Sequence, residues 1–209
     1  MNRTVALGLA LATATLVGGC ASAPAPESRP AAGGVAYRDD KELQRVWVAP
    51  GFDVKAYDSL YVGETRGEVP QLNPDGVQNF EWAKGVLRDE LVAALKARNL
   101  FASVVTRETD IRPGSRALRL ENTIVEYEKG GGSARWFAGL YGAGQPVIKV
   151  RGRLTAEDKP VFLFETRRSG ESGSARWLGG YRSDRDIQEE DIRGLARDLA
   201  EFIARTAKQ

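Results

Sequence analysis

Gln145-Pro-Val-Ile-Lys-Val-Arg-Gly-Arg-Leu-Thr155 alternates, and after a short polar break the chain resumes as Pro160-Val-Phe-Leu-Phe-Glu-Thr166. Side chains of an extended strand point alternately to its two sides. Ile148, Val150 and Leu154 therefore share one face, and Lys149, Arg151 and Arg153 the other. Glu157 to Lys159 turn the chain between the two segments, which predicts a β-hairpin. One greasy and one charged face also predict an antiparallel sheet that meets a core on one side and water on the other.

Working outward, the upstream chain supplies more strand and one helix. Leu118 to Glu128 is a long run rich in Leu, Ile, Val, Thr and Tyr, preceded by the turn sequence Arg112-Pro-Gly-Ser115. Phe101 to Thr106, Ser59-Leu-Tyr-Val62 and Val46-Trp-Val-Ala-Pro50 read as shorter strands, the last halted by Pro50-Gly51. A polar loop with Pro70, Asn73, Pro74, Asp75 and Gly76 leads to a helix expected over Val77 to Arg98. Its Phe80, Ala83, Leu87, Leu91, Ala94 and Leu95 recur at steps of three and four, as one buried stripe requires.

Downstream, Ser183-Asp-Arg-Asp186 fits a capping box that opens a closing helix from Asp184. Ile187, Ile192, Leu195, Leu199, Phe202 and Ile203 form its apolar stripe. The acidic run Glu189-Glu-Asp191 reads as exposed surface of that helix. The order of elements predicts an α+β fold, a mostly antiparallel sheet with two helices packed on one face.

The first residues carry an address. Arg3 precedes an apolar run from Val5 to Val17, and Leu16-Val-Gly-Gly-Cys20 ends it. That is the anatomy of an export signal, with an apolar run too short for a bilayer of ~30 Å. The close resembles the lipobox of bacterial lipoproteins, which implies cleavage that removes residues 1–19 and acylation, palmitate or a similar chain, of Cys20. Two or three acyl chains give a stable anchor where one binds marginally. Secretion with a free thiol and an uncleaved signal anchor are the other readings. Ala21 follows the cysteine instead of an aspartate, which favours the outer membrane, facing the periplasm. Residues 20–36, rich in Pro, Ala, Gly and Ser, read as lipidated cysteine plus disordered tether. Residues 37–209 then form a single domain.

Composition narrows the chemistry. Histidine is absent and Cys20 is the sole cysteine, so Ser-His-Asp, Cys-His and His/Cys zinc sites lack their parts. No cofactor is expected. A net charge of +2 in an exported chain argues against a nucleic-acid partner. Glu126, Glu128 and Glu165 are the strand carboxylates from which a glycan hydrolase without histidine could be built.

One sequence echo stands out. Gly132-Ser-Ala-Arg-Trp-Phe-Ala-Gly-Leu-Tyr141 returns as Gly173-Ser-Ala-Arg-Trp-Leu-Gly-Gly-Tyr181. The strand from Leu118 runs toward the first copy, and the strand from Pro160 ends at the second. If the hairpin forms, both copies lie at one end of the sheet. Arg135, Trp136, Tyr141, Arg176, Trp177 and Tyr181 then share a rim suited to an envelope protein, lipid or glycan partner. The opposing reading is that each tryptophan caps the core with its arginine stacked on it. Gly139-Leu-Tyr-Gly-Ala-Gly144 lacks the order and the lysine of a nucleotide loop.

The lipobox at Cys20, the strand ending Val46-Trp-Val-Ala-Pro50 and the helix finishing Leu91-Val-Ala-Ala-Leu-Lys-Ala-Arg-Asn-Leu-Phe101 carry a family likeness. So do the Gly132-Ser-Ala-Arg-Trp and Gly142-Ala-Gly144 loop and the closing helix. The chain resembles a family of bacterial lipoproteins known only as a domain of unknown function, similar to small periplasmic α/β modules of envelope assembly lipoproteins. The resemblance implies the same fold and no catalytic residues. Two functions are expected: a membrane-anchored, non-enzymatic binding or assembly module, or a carboxylate-based hydrolase of cell-wall glycan.

Overall fold

In the computed structural model the described residues are 35–68, 72–131, 144–170 and 183–207. The export segment, Cys20 and most of the tether lie outside them. Eight strands form one mixed sheet: β1 (Arg38–Asp40), β2 (Gln44–Val48), β3 (Ser59–Val62), β4 (Arg66–Gly67), β5 (Ser103–Val105), β6 (Ala117–Glu128), β7 (Val147–Ala156) and β8 (Lys159–Arg168). Their order across the sheet is β1-β2-β8-β7-β6-β3-β5, with β4 also paired to β6. Helices α1 (Pro74–Ala97) and α2 (Asp184–Thr206) complete the α+β architecture.

The expected hairpin forms from β7 and β8, with Ala156 opposite Lys159 and Val150 opposite Thr166. Antiparallel pairing runs from β1 through β6, but β3 lies parallel to both β5 and β6. The parallel β3–β5 pair follows from connectivity, since α1 carries the chain from one strand to the other and a helical crossover joins parallel strands.

Alternation sets the faces. Leu118, Leu120, Ile124, Val150, Leu154, Phe162 and Phe164 are buried, and one cluster joins them to Leu87, Leu91 and Leu95 of α1 and Ile192, Leu195 and Leu199 of α2. The opposite face carries ion pairs. Glu165 sits among Lys149 at 2.9 Å, Arg45 at 3.4 Å and Arg151 at 3.5 Å. Glu121 meets Arg153 at 2.7 Å, and Glu126 meets Arg167 at 3.0 Å.

Helix ends follow local chemistry. The Ser183–Asp186 capping box is present in both directions. Helix α1 starts three residues before the sequence-based expectation, because the Asn73 side chain accepts the Gly76 N–H at 2.7 Å and Pro74 occupies the first turn. Among the described residues no helix is long and apolar enough to cross a membrane.

Candidate functional site

The end of the sheet where β6 and β8 finish and β7 begins is built around buried polar groups. Helix α2 supplies two of them, Gln188 and Asp191, each only 2 % exposed. For Asp191 this corrects the reading of Glu189-Glu-Asp191 as exposed surface, whereas Glu189 and Glu190 are part-exposed. Gln188, Asp191, Leu195 and Leu199 follow one another at helical steps, so both polar residues continue the apolar stripe into the core.

Each of these groups is tied to a strand end. The Tyr127 hydroxyl of β6 donates to Gln188 Oε1 at 3.1 Å, and Gln188 Nε2 donates to the Glu128 carbonyl at 2.9 Å. Beyond β8, the Gly170 N–H donates to Asp191 Oδ2 at 2.7 Å. Burial pushes the Tyr127 phenol above its ordinary value, against the opposing pull of the Gln188 bond and the Arg185 charge. The phenol therefore stays a proton donor at neutral pH.

The stretches 132–143 and 171–182, which hold the echoed motif, both depart from this place. The first is closed at its base by the Gly131 N–H donating to the Gly144 carbonyl at 2.9 Å. Gly170, the last described residue before the second, has φ of +63°. A Cβ there would run into Gln145 Oε1, so the bare glycine lets the Gln145 side chain of the first base sit against the second. The second stretch returns at Ser183, the N-cap of the helix that carries Gln188 and Asp191.

Arg135, Trp136, Tyr141, Arg176, Trp177 and Tyr181 lie outside the described residues, as does Cys20 and the discarded glycine run at 139–143. An arginine–tryptophan pair that sequence reasoning missed does lie within them. The Arg185 guanidinium, in the first turn of α2, sits 4.6 Å from the centre of the Trp82 ring of α1. Neither residue belongs to a repeated motif, so only the helix pairing could reveal it.

The chain enters the sheet at its edge strand β1, level with the middle of β8. Strand β1 pairs with Arg38 facing Val46 and Asp40 facing Gln44, and the Arg167 N–H donates to Gln44 Oε1 at 2.8 Å. Its last residue is therefore the one near the end of β8, and its first residue points away from the base of the two stretches.

Two of the three strand carboxylates, Glu165 and Glu126, are held in ion pairs. Burial alone would raise the Glu165 carboxyl, but the hydrogen bond and charge of Lys149, with the charges of Arg151 and Arg45, outweigh it and hold the group below its ordinary value. A general acid needs a raised value. Glu126 accepts from Arg167 Nε at 3.1 Å and Nη2 at 3.0 Å. Among the described residues no group of three or more His, Cys, Asp or Glu is placed to hold a metal ion.

No protein-family model matches the chain, and no curated protein matches it. Among solved structures it is similar to the PelC dodecamer from Paraburkholderia phytofirmans, at 17% identity over 73% of this chain and 96% of that one, with a TM-score of 0.47. It is similar to a Xanthomonas campestris protein of the DUF330 family at 16% identity, covering 79% of this chain and 93% of that one, with a TM-score of 0.44. A candidate lipoprotein from Caulobacter crescentus is similar at 15% identity, covering 73% and 90%, with a TM-score of 0.34.

Proposed function

We propose that the chain is a membrane-anchored envelope lipoprotein that works by binding a partner through a rim made by its two Arg-Trp stretches. The observation that carries this reading is the convergence of their bases, with Gln145 against Gly170 and both strand ends tied to α2. Segments that start from one place, each bearing Arg, Trp and Tyr, can act on one partner. Trp, Tyr and Arg dominate the residues that carry interface energy.

In this reading both helices cover the apolar face of the sheet, leaving the charged face to water. Cys20 carries the acyl anchor, residues 21–36 form the tether, and the protein stands in the outer membrane facing the periplasm. The tether joins the sheet at β1, whose Arg38 is level with Val46 and Phe164 at the middle of β8. A glycan hydrolase is the less favoured alternative, because the environment of Glu165 opposes acid catalysis.

Substitution tests the proposal. Trp136→Ala and Trp177→Ala are expected to keep the far-ultraviolet dichroism and melting temperature of the parent. Each is expected to weaken co-purification of the partner about 30-fold, the cost of a residue worth ~2 kcal/mol. Retention of the same partners by both variants would sink the rim. Intact-mass analysis of membrane-extracted protein tests the anchor, expecting acyl mass on Cys20 that Cys20→Ser removes.

A further inference from the structure

At the opposite end of the sheet, independent of the rim, a shallow cavity of about 240 Å³ is lined by Pro50, Phe52, Asp53, Tyr57, Arg116 and Val161, among others. Its walls are held by local chemistry. Pro50-Gly51 makes a tight turn in which the Phe52 N–H donates to the Ala49 carbonyl at 3.1 Å, with Gly51 at φ of +74°. The Ala49 N–H donates to the Val161 carbonyl at 2.9 Å, which fastens the turn to the start of β8. The Phe52 and Tyr57 rings lie 6.1 Å apart, tilted by 39°.

The polar groups are of opposite sign. The Arg116 guanidinium is 5.0 Å from the Tyr57 ring centre. Its backbone is fixed by Asp58, whose N–H donates to the Arg116 carbonyl at 2.9 Å. Among the described residues no carboxylate forms an ion pair with this guanidinium, unlike those of Arg153, Arg167 and Arg168 on neighbouring strands. Stacking on an aromatic face orients the planar fork and leaves its N–H donors for a ligand. Asp53 Oδ1 accepts the Lys55 N–H at 2.9 Å, which fixes the carboxylate and leaves its second oxygen to accept.

We propose that this cavity is a binding site for a small zwitterion with an apolar body, the chemistry of an aromatic or branched α-amino acid. Arg116 takes the carboxylate, Asp53 takes the ammonium, and Phe52, Tyr57, Pro50 and Val161 receive the apolar part. The volume lies below the ~300–1,000 Å³ of pockets for drug-sized ligands, which suits one such molecule.

The test is an NMR titration of the purified full chain in detergent with three probes: phenylalanine, 3-phenylpropionate without the ammonium, and phenethylamine without the carboxylate. Phenylalanine is expected to shift the Phe52, Tyr57 and Arg116 amides saturably at millimolar concentrations and to bind tightest of the three. Arg116→Gln is expected to weaken phenylalanine and phenylpropionate about tenfold, the effect of one charge-assisted hydrogen bond, while sparing phenethylamine. Asp53→Asn is expected to weaken phenylalanine and phenethylamine and to spare phenylpropionate. Both variants alter exposed side chains, and unchanged amide spectra elsewhere confirm that they fold. No saturable shift with phenylalanine, or equal binding of all three probes, overturns the proposal. So does indifference of phenylalanine binding to both substitutions.

Discussion

At one end of the sheet β7 passes into β8 through Glu157 and Asp158, both at positive φ, 48° and 65°. Mirror-image two-residue turns of this kind match the twist of the paired strands. At the other end the same strands, with β6, lead into stretches 132–143 and 171–182, based on buried Tyr127, Gln188 and Asp191. A fold that needs only to connect strands does so in two to five residues. Long connections seated on a buried hydrogen-bond network cost more to build, since each buried polar group must be satisfied. The contrast teaches that one connection needs only to keep register, whereas the other two rest on a buried polar network, and it is to these that the proposed rim is assigned.

Substitutions can break or sharpen that contrast. The largest effect is expected where both ends share a core. Phe164→Ala removes a fully buried ring that stacks 5.7 Å from Phe162 and is expected to cost about 3–5 kcal/mol. Thermal or urea unfolding should show one cooperative loss, with neither end surviving alone. A second transition would mean that the ends are independent.

Next in size is the network at the base of the two stretches. Asp191→Ala leaves the Gly170 N–H without this partner and is expected to cost about 1–3 kcal/mol. Limited proteolysis should then cut first within 171–182, while the turn at 157–158 stays protected. Equal protection of both sites in the variant would separate Asp191 from the rim.

A smaller change of opposite sign is expected at the turn. Glu157→Asn with Asp158→Gly places residues suited to positive φ and should stabilise by up to about 1 kcal/mol. Partner binding should not change. The smallest effect concerns the charged face. Because the Glu165 carboxyl is held below its ordinary value, its stabilising contribution is present above the unfolded carboxylate range near pH ~4.3 and is lost as pH falls through the folded value. Glu165→Gln should flatten the acid side of a stability–pH curve and leave neutral partner binding alone.

The sequence made much of this legible. Alternation in 145–166 identified the hairpin because one face is charged and the other apolar, and the Ser183 box identified the start of α2. Strands β1 and β4 escaped because three and two residues carry no period to read. The start of α1 escaped because Asn73 and Pro74 read equally as loop residues until their capping role is seen. Gln188 and Asp191 were missed for a different reason. Polarity alone makes Asp191 read as surface and leaves Gln188 without a reading, and buried polar residues reveal themselves only when the strand ends that they serve are brought to them. The parallel placement of β3 needed the tertiary crossover through α1.

The central claim is that the two Arg-Trp stretches form one binding rim. It is tested most directly by in-cell photo-cross-linking of the membrane-anchored protein, with a photoreactive residue placed at Trp136 and, separately, at Trp177. The account predicts that both positions trap the same species and that a control on the exposed side of α2, at Arg197, does not. Different species from the two positions, or none from either while Arg197 traps one, would contradict it.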